Sequence, residues 1–556
     1  MKSLLFSAKK TLINNFSVLI GAFSFYAFNS YNDSLKSWIL MPAISMFCIT
    51  VLLCFFDLKS KTENADKEIK IISCISCIGI LLFYSKKFYN NFGMQQSWID
   101  SIVDFSRTSK NIFVIFLIMV LCVLSILFIL PFLKYIYFII KESLNKLFMR
   151  LHGIDLYIFF GICILSMAFT VLMFSKTDVL YNAYKDYCDW DYIYTSDTLA
   201  QLGGNIWLNL WHTGNCIVHP TFSSFSMPLV APLYLLSQLF VSLNLFPYFL
   251  AFLHTFLICT TYTMIIDLME FKHRGVLLLL YFSLYSSLLF SFVIEEYIIV
   301  FFWLILFIYN YIKKENHENC DSLLIISTST ILTNGILALL LIEENKSIKN
   351  NFLKLIKLFF LGALTVFSLG NSSLSFTFLS QIKRLSDFSG IDIENGTSRI
   401  TLIDKFYQYT NFVKSCFVFP KASIKLNAFG CTSWQLDVVD CASVIGIVIF
   451  VLCIISFIIN RKDKLCQISF GWIVYSVFVL LIVGWGTVEN GLILYSLYFT
   501  WAFAVLLIKL IQYIFNALKI EKVLPYLYTL IAVFLYVINI KDILNMINQM
   551  AEYYPK

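Results

Sequence analysis

Residues 186 to 232 read DYCDWDYIYTSDTLAQLGGNIWLNLWHTGNCIVHPTFSSFSMPLVAP, a polar stretch in an otherwise apolar chain. Asp186, Asp189, Asp191 and Asp197 come first, then Trp207, Trp211, His212 and His219, then Pro220, Pro228 and Pro232 leading into the next apolar run. A carboxylate near a membrane surface can take the proton of an acceptor hydroxyl when partial burial and neighbouring charge match its pKa to that task. Trp and Tyr add flat apolar faces with one polar edge, which suits a pyranose ring or a prenyl phosphate linkage. A solvated loop, with Asp residues capping helices and aromatics lying on the interface, would hold the same residue types, because loops collect both function and plain polarity.

Further carboxylates interrupt apolar runs. Glu295 and Glu296 stand in SFVIEEYIIVFFW, and acidic residues at that depth are functional by default unless a short turn keeps them in water. Glu489 stands in VGWGTVENGLILYSLYF among Gly484, Gly486 and Gly491, where a plain glycine turn would serve equally well. Cations able to steady a phosphate are Lys383, Arg384, Arg399 and Lys405, with Lys421 and Lys425 farther along; Arg binds phosphate oxygens in pairs and Lys acts as a point charge. No phosphate-binding GxxxxGK[ST], GxSxG, HExxH or GxGxxG pattern occurs. An enzyme without a nucleotide site, with its carboxylates outside, is expected to draw its group from a lipid carrier.

The elements that must position these residues are membrane spans. The 556 residues are 59% hydrophobic and 13% charged, against roughly a quarter charged in soluble domains, and this excludes a water-soluble enzyme. Apolar runs of crossing length fall near 16 to 31, 37 to 56, 70 to 85, 112 to 133 and 153 to 175, before the first polar loop. Others fall near 226 to 245, 247 to 268, 275 to 293, 297 to 312, 322 to 342, 355 to 371, 442 to 459, 467 to 486, 491 to 511 and 524 to 540. The bias of Lys and Arg puts Lys141, Lys146 and Arg150, Lys313 and Lys314, and Arg461, Lys462 and Lys464 inside, and 176 to 225 and 372 to 441 outside. Lys272 to Arg274 and Lys346 to Lys357 belong inside as well, which a plain count of crossings does not deliver. Re-entrant or interfacial segments are therefore expected at 226 to 268, broken at Asn244 to Pro247, and at 322 to 342, broken near Thr333, Asn334 and Gly335.

The net charge of +7 is spread along the chain, which fits topology and argues against nucleic acid as a partner. Most of the fifteen cysteines lie in apolar runs. Cys188 with Cys216, and Cys416, Cys431 and Cys441, fall in the outside segments, where disulfides form. A composition rich in Lys, Asn, Ile and Phe points to a bacterium, and hence to a multi-pass protein of its plasma membrane.

In layout, the chain resembles the GT-C superfamily of polytopic glycosyltransferases, the group with the protein O-mannosyltransferases and the lipid A aminoarabinose transferases. Asp189, Asp191 or Asp197 in the first long outside loop, then His219 and Pro220, then Glu295 or Glu296 follow the family's order, and LTNG at 332 to 335 is similar to its LTK-G element with Asn334 in place of the lysine. The family's acidic loop usually follows the first span, whereas here four spans come before the span that leads into it.

The resemblance implies an all-α polytopic protein with a GT-C-like bundle. It would comprise an N-terminal four-span module (1–150), a GT-C-like core (151–375) with the first outside loop at 176–225, an extracytoplasmic loop or small subdomain (376–441) and C-terminal transmembrane helices (442–556). It further implies inverting transfer of a sugar from a polyprenyl-phosphate carrier to a surface glycan, lipid or protein acceptor at the outer face. Asp197, near the cap of the helix that SDTLAQL begins, is the first choice for general base, ahead of Asp191 and Asp189. Glu295, Glu296, Glu489, Trp211, His212, His219, Lys383, Arg384 and Arg399 would bind substrate among the membrane lipids. A divalent metal is used by some members only, so the cofactor stays open, and no metal ligands are assigned. Two other readings compete: a flippase or transporter of lipid-linked glycans, which predicts internal symmetry and charges at mid-membrane depth, and an O-antigen-type polymerase, which would lean on outside arginines such as Arg384 and Arg399.

Overall fold

The computed structural model describes residues 138–151, 153–179, 193–194, 219–222, 225–226, 229–230, 233, 236–237, 245–313, 317–342, 346–369, 389, 391–392, 397–398, 400–426, 432–488 and 491–556. The chain divides into two units: Met1–Leu144, Gly204–Phe246 and Glu318–Phe378 form one, and Asn145–Gly203, Pro247–His317 and Leu379–Lys556 the other. Among the described residues five helices are long and apolar enough to cross a membrane, all ending in the second unit.

In that unit α1 (Ile154–Lys176) and α2 (Phe246–Leu268) run antiparallel. Phe174 packs on Tyr248 at one end, with ring centroids 4.7 Å apart, Phe159 on Phe256 at 5.7 Å farther along, and Arg150 reaches Asp267 at the other end. The chain then crosses back in two pieces, α3 (Arg274–Ser283) and α4 (Tyr285–Phe290), and returns through α5 (Tyr297–Lys313). Residues Tyr297 to Tyr309 of α5 are buried without exception, so this helix is apolar on every side and sits centrally.

After a polar segment, 379 to 443, come α9 (Val444–Ile459), α10 (Lys464–Ser476, continuing as the π-helix Val477–Val483), α11 (Ser496–Ala517) and α12 (Leu524–Tyr553). The helices α6 (His317–Thr330) and α7 (Ile348–Leu369) belong largely to the first unit, and α8 (Leu402–Ser415) to the polar segment of the second. Ser456 of α9 donates to the Leu506 carbonyl of α11 at 2.5 Å, and Lys509 of α11 pairs with Asp463, the N-cap of α10, at 2.6 Å. This unit exposes the apolar residues Ile154, Tyr157, Ile164, Val444, Ile458, Tyr526, Leu530 and Val537, a surface compatible with a lipid surround.

Two ends follow from these contacts. Arg150, Asp267, Arg274 and Lys313 gather at one end, so every residue of this set that the charge bias assigns to the inside shares a face. The start of α2 lies at the opposite end, beside the end of α1, so 177 to 245 begins and finishes on one side. The break expected at Asn244 to Pro247 is where Phe246–Leu268, an unbroken helix of 23 residues and long enough to cross by itself, starts; most of 226 to 245 lies outside the described residues. The run near 275 to 293, expected to be continuous, is instead broken at Leu284.

The all-α expectation has an exception in the polar segment, where β1 (Ile391–Asp392) pairs with β2 (Thr397–Ser398) and β3 (Ala422–Leu426) pairs antiparallel with β4 (Thr432–Leu436). The second pair docks by Trp434, which is fully buried. Between the pairs, α8 starts with a capping box in which Thr401 and Asp404 satisfy each other's backbone N–H groups. It packs so closely on α9 that a Cβ on Gly446 would overlap the Thr410 carbonyl.

In the first unit, α6 ends at Thr330, Ile331 is extended, and a 3-10 helix, Leu332–Leu341, follows. The expected break near Thr333 to Gly335 thus falls two residues earlier. Residues 1 to 137, and with them most of the N-terminal module, lie outside the described residues.

Candidate functional site

The α3–α4–α5 hairpin is irregular for a local reason. Its serines turn back on their own carbonyls, Ser283 on Leu280 at 2.7 Å, Ser287 on Tyr281 at 2.8 Å and Ser291 on Leu288 at 2.7 Å, and such bonds compete with the helical ladder. The backbone groups released at Leu284 find partners from distant segments. The Asn539 amide of α12 donates to the Ser283 and Phe417 carbonyls, each at 2.9 Å, and the Tyr285 N–H donates to the Phe417 carbonyl at 3.2 Å. Broken backbone at this depth survives only because each freed group is met.

Beyond α4 the chain is non-helical up to Glu295 and Glu296, which are 1% and 2% exposed. A solvated turn is therefore excluded: both carboxylates are inside the protein. The Glu296 N–H donates to Glu295 Oε1 at 3.0 Å, while the Glu296 carbonyl accepts from the N–H groups of Ile299 and Val300 and so begins α5. The positive end of the α5 dipole favours negative charge there. Thr255 of α2 fixes the approach by donating to the Ser291 carbonyl at 3.0 Å.

Next to the pair, Tyr297 stacks edgewise on Tyr495 with centroids 5.1 Å apart, and the Tyr495 hydroxyl accepts from Trp485 Nε1 at 2.8 Å. Trp485 lies in the turn between α10 and α11, flanked by Gly484 and Gly486 at φ 81° and 78°, values that favour glycine. The fold thus joins the Glu295–Glu296 stretch to the VGWGTVENG turn; Glu489 itself lies outside the described residues.

The first long polar loop, 176 to 225, is pinned at Tyr194. Tyr194 is buried in a positive-φ conformation at 53°; its N–H donates to the Trp434 carbonyl at 2.8 Å, its hydroxyl meets the Tyr285 hydroxyl at 2.9 Å, and Trp434 Nε1 donates to it at 2.9 Å. Burial pushes the Tyr194 phenol well up from its ordinary range. Asp189, Asp191, Asp197, Trp211 and His212 lie outside the described residues, yet Asp191 and Asp197 are each within three residues of the anchored pair Ile193–Tyr194. Tyr194→Phe is expected to cost about 1–3 kcal/mol of stability, read by thermal unfolding, because it strands the Trp434 donor and the Tyr285 hydroxyl in the interior. An unchanged midpoint would show that this anchor holds nothing.

Within the first unit, two motifs far apart in sequence meet. His219 Nδ1 lies 3.0 Å from the Thr330 carbonyl, and the Thr221 N–H donates to the Ser329 carbonyl at 3.0 Å. Burial pushes the His219 imidazole down to about 4, against the opposing pull of the Thr330 carbonyl, so the ring is neutral at pH 7, with Nδ1–H as donor and Nε2 as the basic nitrogen. The buried Asn334 of LTNG donates to the Ser327 carbonyl at 3.2 Å and to Ser327 Oγ at 2.8 Å, closing the helix end that the break opens. Its amide therefore serves the break itself.

Of the candidate cations, Lys383, Arg384 and Arg399 lie outside the described residues. Lys405 is buried and donates to the Val483 carbonyl at 3.1 Å, capping the π-helix, and burial lowers its pKa. Lys425 is engaged by Asp437 at 2.9 Å. Burial alone would raise the Asp437 carboxyl, but the Ser423 hydroxyl and Lys425 more than offset it and hold the group low. Cys416 is buried and Cys441 exposed, and the two are not joined; Cys188, Cys216 and Cys431 lie outside the described residues. Among the described residues, no group of three or more His, Cys, Asp or Glu forms a metal site.

Asp267, which the sequence did not single out, is the hub of the opposite end. It is 2% exposed and takes Arg150 at 2.5 Å, Arg274 at 3.0 Å, Lys313 at 3.3 Å and the Tyr309 hydroxyl at 3.1 Å. Its signal was a lone carboxylate closing the apolar run ICTTYTMIID. No family model, curated protein or solved structure matches the chain.

Proposed function

We propose that this chain is an integral membrane glycosyltransferase of GT-C type that moves a sugar from a polyprenyl-phosphate carrier to a surface glycan, lipid or protein acceptor at the Glu295 end. The observation that carries the reading is the buried Glu295–Glu296 pair at the head of α5, reached by an interrupted hairpin and flanked by Tyr297, Tyr495 and Trp485. Buried carboxylates beside tyrosine and indole are the groups that sugar hydroxyls and ring faces select. The meeting of His219 with the residues that precede LTNG adds support from layout.

In this reading Asp197, or Asp191, takes the proton of the acceptor hydroxyl. The acceptor oxygen attacks the anomeric carbon from the face opposite the phosphate, and the carbon–oxygen bond to phosphate breaks. Polyprenyl phosphate leaves with the bonding electrons, and the proton stays on the carboxylate. Glu295 and Glu296 accept hydrogen bonds from sugar hydroxyls and fix the donor for in-line attack.

The test is turnover of a radiolabelled polyprenyl-phosphate sugar by the purified full chain in bilayers, with slow hydrolysis to water counted as turnover. Asp197→Asn or Asp191→Asn is expected to lower the rate by about 10²–10⁴, the usual worth of a general base, while lipid binding persists. No turnover with any carrier-linked sugar, together with movement of that lipid across a vesicle membrane, would overturn the transferase and establish a flippase.

A further inference from the structure

At the Asp267 end three cations share one carboxylate. Asp267 has both oxygens occupied, Oδ1 by Arg274 and Oδ2 by Arg150, Lys313 and Tyr309. Among the described residues, Asp267 is the carboxylate that all three cations share. Asp155, at the start of α1, does not balance them directly, since its Oδ1 accepts from the Gly275 N–H at 2.7 Å. A fourth cation borders the group: Lys464, at the start of α10, lies 5.8 Å from the ring centre of Tyr311, two residues before Lys313.

The cations stay partly open to solvent. The side chains of Arg150, Arg274 and Lys313 stay 35%, 25% and 21% exposed while the carboxylate they surround is buried. The Arg274 guanidinium gives one nitrogen to Asp267 and another to the Arg150 carbonyl at 2.5 Å, and its Nε–H, although buried, has no acceptor among the described residues. The cluster joins the ends of α2 and α5 to the start of α3, at the end of the bundle where apolar spans give way to charge, which is the depth of lipid headgroups.

Basic pockets between transmembrane helices at this depth take anionic headgroups. We propose that Arg150, Arg274 and Lys313, held in place by Asp267, bind the phosphate of an anionic phospholipid in the adjoining leaflet. The phosphate oxygens meet the solvent-facing parts of Arg274 and Lys313 beside Arg150, and Asp267 acts as the template that keeps three mutually repelling cations together when no lipid is present. This site is independent of the proposed transferase chemistry at the other end.

The experiment compares the full chain in phosphatidylglycerol and phosphatidylcholine nanodiscs, reading the unfolding midpoint and, by native mass spectrometry, the phosphatidylglycerol retained. Wild type is expected to retain phosphatidylglycerol and unfold later in it, and Lys313→Gln to retain about fivefold less, the worth of one lysine at an anionic surface. Asp267→Asn separates the proposal from a purely internal ion pair. It keeps all three cations, so its loss of midpoint in phosphatidylcholine is expected to be largely recovered in phosphatidylglycerol. An Asp267→Asn loss of equal size in both lipids, with a wild-type midpoint indifferent to headgroup, would overturn the site. Inorganic phosphate raising the midpoint in phosphatidylcholine as far as phosphatidylglycerol does would overturn the lipid as its source and leave soluble phosphate as the ligand.

Discussion

Asp267→Ala is expected to lower the stability of the purified chain by about 3 kcal/mol in neutral lipid, read as the midpoint of thermal or denaturant unfolding. Removing one partner of a buried ion pair costs about 3–5 kcal/mol because the other charge is left uncompensated. Three charges are left here, but each keeps 21–35% of its side chain exposed and is partly solvated, which favours the lower end of that range. The damage is not local. Asp267 ties the entry to α1, the exit of α2, the start of α3 and the exit of α5, so its loss frees four helix ends together. A variant as stable as wild type would mean that water and headgroups already satisfy the cations.

The second large effect falls on activity. Glu295→Gln and Glu296→Gln remove one charge each while keeping volume and one carbonyl oxygen, so the Glu296 N–H still has an acceptor in the Glu295 variant. Folding is expected to survive, with a midpoint within about 1 kcal/mol of wild type, the size of one net hydrogen bond. Sugar transfer is expected to fall by about 10²–10³ in at least one of the two, the usual effect of removing a group aimed at the reacting centre. Full turnover in both variants, or unfolding of both, would sink the role assigned to the pair and make it a structural feature of the α5 start.

Much of the helical layout was legible before any contact was known. The runs near 153 to 175, 297 to 312 and 442 to 459 match α1, α5 and α9 to within two residues, because a span is set by about 20 consecutive apolar side chains and that is a local property. The break at the end of α6 was legible from LTNG, where a polar and a flexible residue interrupt an apolar run. The break at Leu284 was not. Serine is neutral on a hydropathy scale, and nothing local says that Asn539, 256 residues from Ser283, will accept the task of meeting its carbonyl. Asp267 was passed over for the same reason: its partners lie 117, 7 and 46 residues away, and charge counting gives each a side of the membrane without giving any a neighbour.

What residue content alone determined is that the described part of the chain is built largely from apolar helices, where three of them start and stop, and which polar residues interrupt them. Those are consequences of transfer free energy summed over one stretch of chain, and no other stretch is needed to evaluate them. Tertiary structure decided which ends share a face, that Glu295 and Glu296 are buried where a turn in water was the alternative, that Tyr194 anchors the first long polar loop on Trp434, and that Lys405 caps a helix. Each of these depends on a partner brought in across the sequence, and burial and hydrogen bonding are properties of such pairs and not of either residue by itself.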